Sequence, residues 1–189
     1  MPDAASHVAL LYSIVLGPAR RVVMADLRAL AAELGLAAPR TLVATGNLVF
    51  RAPELAEAAL ESRLEQGFAA RFGKPVDIIV RSAARWRRLV AANPFPEAAG
   101  RRPDRVAVRV MRAPMPEAVF GRLAAYRADD EEIRLVDGDL WLHLPQGFAR
   151  SRLVAAIKPR RAGGAGTVRN WNTVRGIGAL LDGEGQGNG

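Results

Sequence analysis

Residues 167–174, TVRNWNTV, form the densest group of hydrogen-bonding side chains in the chain, and a short apolar run follows them. Asparagine is a preferred first residue of a helix because its side-chain oxygen accepts a hydrogen bond from a free amide of the first turn. The same amides and the helix dipole attract anions, and an arginine beside them adds to that attraction. We therefore predict a helix capped by Asn170 or Asn172, with an anion-binding group made of Arg169, the two asparagines and Thr173.

A structural interpretation of TVRNWNTV is simpler, and we favour it because asparagine caps are common. In it an asparagine caps the helix, Trp171 is largely buried in a crevice, and Arg169 pairs with a carboxylate or points towards residues 45–47. The segment would then mainly anchor the C-terminal helix. A dense polar cluster specifies such docking better than alanines could, and any ligand would sit at the same junction.

A second polar segment, Thr45-Gly46-Asn47, interrupts the strand-like run RTLVATGNLVF (40–50). Glycine and asparagine inside a strand pattern indicate a turn, a bulge or a close backbone approach. We predict that this segment and residues 169–173 together form a polar pocket for a small anionic ligand.

Basic residues outnumber acidic ones, giving a net charge of +8, and only two of the 27 basic side chains are lysines. Residues 81–112 carry nine arginines against two acids, and residues 140–181 carry seven basic residues and no acid. The acidic stretch 113–139 separates these two blocks. Such blocks can attract anions, although a solvated charged face is the commoner explanation.

Four arginines are candidates for a basic surface: Arg20 and Arg21 at a predicted helix start, and Arg105 and Arg109 in a predicted strand. If the last two shared a sheet face with Trp141 and His143, that face could stack and hold single-stranded nucleic acid. No RNA-recognition motif is present. The alternative is that this face packs inside the protein or against a second subunit.

Composition excludes several classes of site. With no cysteine and two histidines, the chain cannot build a disulfide framework, a zinc-thiolate site, an iron–sulfur site or a multi-histidine metal centre. No nucleophile–base pair is readable, so we predict no catalytic residue, no metal and no cofactor, and leave catalysis open. The apolar run 8–17 lacks a basic flank and is too short to span a bilayer, which favours a cytoplasmic protein with no membrane partner.

The order of strand and helix patterns is β-α-β-β-α-β if Gly46-Asn47 turns the chain, and the same order occurs in the second half. In the first half we predict strands at 7–16 and 76–80, a strand pair within 40–50 divided at Gly46-Asn47, and helices at 22–35 and 53–73. In the second half we predict strands at 105–111, 132–136, 140–145 and near 167–168, and helices at 115–127 and 149–160. Asp137-Gly138-Asp139 is a strong hairpin signal.

This rhythm predicts an α+β fold of two tandem ferredoxin-like α/β-plait subdomains. The first would cover residues 1–98 with a broken helix at 82–96, and the second residues 99–181 with the C-terminal helix. The proline- and glycine-rich segment 96–105 would be the linker, and the tail 182–189, which lacks apolar residues, would be disordered.

With these motifs in order, the chain resembles a bacterial family grouped as domain of unknown function 1697. The resemblance rests on VALLYSIVLG (8–17), MADLRALAAELGL (24–36), RTLVATGNLVF (40–50), GKPVDIIVRS (73–82), NPFP (93–96) and TVRNWNTV (167–174). It implies tandem α/β-plait subdomains and no established activity.

The sequence differs from the pattern of the family that it resembles at the end of the first strand. Tyr12, Ser13 and Val15 stand where members typically carry arginine, glycine and asparagine, Pro18 replaces a glycine, and Thr45 replaces a serine. The departure implies that this chain has lost one wall of any polar site the family shares. Two functions follow as hypotheses: a cytoplasmic module that binds a small anion, or alternatively a nucleic-acid-associated protein that uses its arginine-rich segments. The sequence carries no signal of oligomeric state.

Overall fold

The computed structural model describes residues 5–53, 55–157 and 163–183. They form helices and antiparallel sheets, which confirms the α+β class. Contacts within the chain divide it into two units, Met1–Leu89 with Arg175–Gly189, and Val90–Val174. The sequence placed the division near residue 98 and the whole C-terminal helix in the second half.

The first unit contains a four-stranded antiparallel sheet and a small hairpin. Its strands are β1 (Ala5–Leu11), β2 (Val15–Gly17), β3 (Arg20–Arg21), β4 (Ala37–Leu42), β5 (Asn47–Ala52) and β6 (Ile78–Ser82). Its helices are α1 (Met24–Glu33) and α2 (Glu57–Phe72), followed by α3 (Ala83–Ala91), whose last two residues belong to the second unit. The sheet order is β4-β5-β1-β6, so the second, third, first and fourth main strands lie side by side.

Alternation along these strands separates the two faces of the first sheet. One face joins residues of α1 and α2 in a core that includes Leu11, Leu48, Phe50, Leu60 and Phe68. The opposite face carries Ser6, Val49 and Arg51 from the central strands, because Ser6 pairs with Arg51 and Val49 pairs with Arg40.

Helix α2 also covers the free edge of β6 through three glutamates spaced four residues apart. Glu57, Glu61 and Glu65 accept hydrogen bonds from the backbone amides of residues 82, 80 and 78, at 2.8, 2.9 and 2.8 Å. We call this arrangement the glutamate ladder. It satisfies the outward-pointing amides of an edge strand with side chains instead of another strand.

The second unit contains a four-stranded antiparallel sheet with helices beside it. Its elements are α4 (Pro96–Arg101), β7 (Val106–Met111), α5 (Glu117–Ala124), β8 (Glu132–Val136), β9 (Asp139–His143), α6 (Arg152–Ala156) and β10 (Gly166–Asn170). The sheet order is β10-β7-β9-β8. Counted from β8, the second, third, first and fourth strands of this unit lie side by side, as in the first sheet. The last helix, α7 (Trp171–Leu181), begins in this unit and continues into the first.

Both predicted hairpins are confirmed. Strands β4 and β5 pair antiparallel around a left-handed Gly46 with φ of 79°. Strands β8 and β9 pair around Asp137 and Gly138, which both have positive φ. Such a two-residue turn matches the twist of the strands that it joins.

Three predicted elements differ in the structure. The strand predicted at 7–16 ends at Leu11, because the Ser13 hydroxyl accepts from the amide of Val15 at 3.1 Å and turns the chain. The predicted linker 96–105 is helical over α4 and over a 3₁₀ turn at 103–105, and Pro96 stands at the helix start where its missing amide costs nothing. The helix predicted at 149–160 spans only the five residues of α6 among those described.

Part of the predicted disordered tail, residues 184–189, lies outside the described residues, as do residues 158–160 of the predicted helix. Asp182, which does belong to the described part, pairs with Arg87 at 2.7 Å.

Candidate functional site

The Thr45–Asn47 segment forms the tight end of the β4–β5 hairpin. Asn47 is fully buried, and its side-chain amide donates to the Leu42 carbonyl and to the Thr45 hydroxyl, both at 3.0 Å. The Gly46 carbonyl accepts from the Leu11 amide at 2.9 Å. These bonds brace the loop and tie it to β1.

Gly46 is required there for two reasons. Its φ of 79° is a left-handed conformation that other residues adopt only with strain. A β-carbon at this position would also lie 2.8 Å from Ile14 Cγ2 and 2.9 Å from Leu11 Cβ. The glycine that the sequence marked as a candidate site residue therefore has a packing role.

The segment TVRNWNTV forms β10 and the first turn of α7. Asn170 Oδ1 accepts from the amide of Thr173 at 3.0 Å, which is the geometry of a helix N-cap. Asn172 lies in the first turn and its side chain is exposed. The predicted cap is confirmed for Asn170, and Asn172 does not share it.

Arg169 is buried at 7% exposure on β10. Its guanidinium donates to the Thr167 hydroxyl at 2.6 Å and to the Val168 carbonyl at 2.9 Å. Burial lowers the pKa of Arg169 to about 10, because a low-dielectric environment disfavours the charged form.

Trp171 is partly exposed, although the sequence predicted it to be largely buried. Its ring centroid lies 5.9 Å from that of Trp141, at an interplanar angle of 53°. This tilted pair is a favourable arrangement for two aromatic rings. Trp171 therefore packs against the buried Trp141 and remains partly exposed to solvent.

The predicted basic surface exists only in part. Arg20 and Arg21 are exposed on β3. Arg105 is partly buried and lies 3.1 Å from Asp104, in an ion pair. Arg109 is 1% exposed, with its guanidinium donating to the Gly164 carbonyl at 3.1 Å, so its assignment to the surface was wrong.

The sheet face predicted to join Arg109, Trp141 and His143 is also wrong. The register of β7 and β9 pairs Val108 with Trp141 and Arg109 with Leu140. Because side chains alternate between faces, Arg109 shares the face of the leucines, and Trp141 is itself buried. The predicted grouping of Arg109 with Trp141 and His143 on one sheet face is therefore not formed.

A pocket that the sequence did not indicate lies in the first unit, and we call it the Arg40 pocket. It encloses about 340 Å³ and is lined by Ser6, Ala38, Arg40, Val49, Phe50, Arg51, Leu181, Asp182 and Gly183. Arg40 Nη2 donates to the Leu180 carbonyl at 2.6 Å, at the end of α7. Arg40 Nη1 is buried and has no hydrogen-bond partner among the described residues.

A second cavity of the first unit, which we call the Tyr12 cavity, encloses about 510 Å³ at the end of β1. It is lined by Tyr12, Ser13, Val15, Leu16, Glu65, Phe68, Lys74, Pro75, Val76 and Asp77. Three of these, Tyr12, Ser13 and Val15, are among the positions at which the sequence predicted a departure from the family pattern.

The signals for both pockets were present in the sequence but were scattered. Ser6, Arg40 and Arg51 come from three different strands, and only the register of those strands brings them to one face. The two candidate segments, 45–47 and 169–173, fall in different units.

The described residues contain no group of three or more His, Cys, Asp or Glu side chains that could hold a metal ion. Within the same part of the chain, every helix is too short or too polar to cross a membrane.

These features define an α+β protein with two four-stranded antiparallel sheets and pockets lined by charged and apolar side chains. Residues 5–141 match the family described as "Protein of unknown function (DUF1697)". The chain belongs to this family, as its motifs indicated. No protein of curated function matches it.

Among solved structures, the fold is similar to that of the conserved bacterial protein SP0830 from Streptococcus pneumoniae. The two superpose with a TM-score of 0.76 at 19% sequence identity, over 95% of this chain and 99% of that chain. At that identity the likeness concerns the fold alone.

Proposed function

We propose that this protein binds a small anionic molecule in the Arg40 pocket. The observation that carries the proposal is the buried Arg40 Nη1, which has no partner among the described residues. A buried donor without an acceptor costs roughly 1–3 kcal/mol, and more when it is charged. An anion oxygen bound beside it would remove that cost.

The other groups of the pocket suit the same ligand. Arg40 is held in place by its bond to the Leu180 carbonyl, so its guanidinium is oriented before a ligand arrives. Arg51 lies on the same sheet face, and Ser6 is directly opposite it on β1. Two arginines and a hydroxyl suit a carboxylate or a phosphate, which accept paired N–H bonds from a guanidinium.

One carboxylate lines the pocket, but it is already paired. Asp182 accepts from Arg87 Nε at 2.8 Å, so much of its charge is balanced outside the pocket. The electrostatic potential in the pocket is therefore positive. The volume of the pocket, about 340 Å³, also lies in the range of small-molecule sites.

The residues first predicted for anion binding, Thr45, Gly46, Asn47, Arg169, Asn170, Asn172 and Thr173, remain a second proposal. Several of their polar atoms have partners inside their own segments, which favours a bracing and capping role. The Arg40 pocket is therefore the stronger candidate for a ligand.

We further propose that each half of the chain is a ferredoxin-like α/β plait and that the two arose by duplication, with the halves meeting near residue 98. Support comes from the strand order, since both sheets place the second, third, first and fourth strands of a β-α-β-β-α-β series side by side. A cytoplasmic location is proposed with it, because the chain has no cysteine.

The proposal for the Arg40 pocket is tested by titrating the protein with inorganic phosphate and with malonate, and binding is monitored through the amide chemical shifts. The variants Arg40→Gln and Arg51→Gln remove one charge each, and Arg63→Gln is the matched control because Arg63 is exposed on α2. We expect Arg40→Gln to weaken binding at least about tenfold, the loss of one charge-assisted hydrogen bond. Arg51→Gln should weaken it less, and Arg63→Gln should not change it.

Salt dependence separates this function from nucleic-acid binding. A small anion that meets two arginines should show a shallow dependence, whereas a nucleic acid that neutralises many arginines should show a steep one. Equal affinities for Arg40→Gln and Arg63→Gln, both still folded by circular dichroism, would refute the pocket. Tight binding of an oligonucleotide with a steep salt slope would favour the alternative.

A further inference from the structure

The Tyr12 cavity has apolar walls that are partly open to solvent. Phe68 forms a buried part of the wall, and Tyr12 and Val15 on the rim are 42% and 41% exposed. Large apolar side chains gathered around a cavity of this size are typical of a binding site for a small organic molecule.

Most polar groups of the cavity are already used to hold its walls. Glu65 accepts from the amide of Ile78 at 2.8 Å, as part of the glutamate ladder. Lys74 Nζ donates to the Val15 carbonyl at 2.8 Å. The Ser13 hydroxyl accepts from the Val15 amide. These bonds fix the loop that forms the rim.

Two polar side chains have no hydrogen-bond or ion-pair partner among the described residues: the Asp77 carboxylate and the Tyr12 hydroxyl. The two residues are adjacent, because the Tyr12 amide donates to the Asp77 carbonyl at 2.9 Å. An acidic residue and an aromatic residue next to the ends of adjacent strands therefore both line the apolar cavity.

The charge of the cavity is opposite to that of the protein. Two carboxylates, Glu65 and Asp77, face one ammonium group, Lys74, in a chain whose net charge is +8. A local negative charge on a basic protein selects against the anions that the rest of the surface attracts.

We infer that the Tyr12 cavity binds a small organic cation with an apolar body, such as an arylalkyl ammonium. The Asp77 carboxylate receives the ammonium, and the face of the Tyr12 ring stabilises the same charge through a cation–π interaction. Phe68 and Val15 contact the apolar body. This site is separate from the Arg40 pocket and does not depend on the function proposed there.

The test uses three probes of nearly equal shape and different charge: phenethylammonium, 2-phenylethanol and phenylacetate, each titrated against the full chain and followed by amide chemical shifts. We expect phenethylammonium to bind most tightly and phenylacetate most weakly. Asp77→Asn should weaken phenethylammonium binding about tenfold and leave 2-phenylethanol unchanged, because it removes only the charge. Asp129→Asn, an exposed carboxylate of the second unit, is the control.

A pair of variants at Tyr12 tests the ring. Tyr12→Phe keeps the aromatic face and should retain most of the affinity, whereas Tyr12→Leu should lose several-fold for the cation but little for the alcohol. Equal effects of Asp77→Asn and Asp129→Asn, or phenylacetate binding as tightly as phenethylammonium, would overturn the inference. Arg40→Gln should leave phenethylammonium binding unchanged, so failure of the anion proposal is recognised separately.

Discussion

Among the described glycines of the first unit that have positive φ, Gly46 is the one whose replacement with alanine should destabilise the unit most. The added β-carbon meets Ile14 Cγ2 at 2.8 Å and Leu11 Cβ at 2.9 Å. Neither atom is the far end of a flexible side chain, and both residues are buried. The β4–β5 hairpin or β1 must therefore shift to admit the methyl group.

Two contributions make up the expected cost. Placing a residue with a β-carbon in the left-handed region costs roughly 1–2 kcal/mol. Forcing an extra methyl group into a packed core costs about 1–3 kcal/mol more. The free energy of unfolding should thus fall by about 2–5 kcal/mol.

Two other glycines separate these contributions. Gly73 ends α2 with φ of 71° and has nothing within 4 Å of an added β-carbon, so Gly73→Ala measures the backbone cost alone. Gly17 also has open space and lacks positive φ, so Gly17→Ala should be neutral or stabilising by up to about 1 kcal/mol. The difference between Gly46→Ala and Gly73→Ala is the steric contribution.

The assay is urea unfolding of the three variants and the wild type, with the midpoint compared at equal slope. Hydrogen exchange of the Leu11 amide, which donates to the Gly46 carbonyl, gives a local reading at the same place. If Gly46→Ala lowers the free energy of unfolding no more than Gly73→Ala does, the expected clash of the added β-carbon with Ile14 and Leu11 is wrong. Segment 45–47 would then be better explained as a ligand-binding loop.

Three further predictions concern the last strand, the last helix and the glutamate ladder. Asn170→Ala should cost about 1 kcal/mol in urea unfolding by removing the cap of α7, whereas Asn172→Ala should stay within roughly 0.5 kcal/mol; equal effects would contradict the cap. Burial lowers the pKa of Arg169 to about 10, so above that pH the unfolded chain binds more protons than the folded one and this group adds stability as pH rises. Between about pH 9 and pH 11 the free energy of unfolding of the wild type should rise by roughly 1 kcal/mol relative to that of Arg169→Met. A difference in free energy of unfolding that stays constant over this range would refute the effect of burial on the pKa. Glu61→Ala should cost about 1–3 kcal/mol because it leaves the buried Val80 amide without its acceptor, and a smaller loss than for the exposed control Glu33→Ala would contradict this.

The order of elements was largely predictable, since each depends on local signals. The turn at Asp137-Gly138 needs only positive φ at neighbouring positions, which glycine and aspartate supply readily. The Asn170 cap was predictable for the same reason, because its partner is three residues away. Strand β1 was predicted too long, because apolar residues continue beyond Leu11 after the chain has turned at Ser13.

The pockets and the sheet faces were not predictable, because they depend on register between distant strands. A shift of one residue decides whether Arg109 neighbours Trp141 or Leu140, and composition says nothing about that shift. The Arg40 pocket needs residues 6, 40 and 51 on one face, which strand pairing alone provides. The glutamates of α2 read as an ordinary solvated helix face until β6 is placed beside them.

The glutamate ladder also limits how long an edge strand can be when a helix protects it. Four residues of helix advance by about 6.0 Å, whereas two residues of strand advance by roughly 6.6 Å. The mismatch of about 0.6 Å per rung reaches about 1.2 Å by the third rung, which is near what a flexible glutamate can absorb within hydrogen-bonding distance. Strand β6 has five residues and three outward amides, all of them bonded to the helix. In a longer edge strand, further amides would lack a glutamate acceptor and could pair with a strand of another chain. The difference in rise per residue between helix and strand therefore limits the length of edge strand that this helix can protect from such pairing.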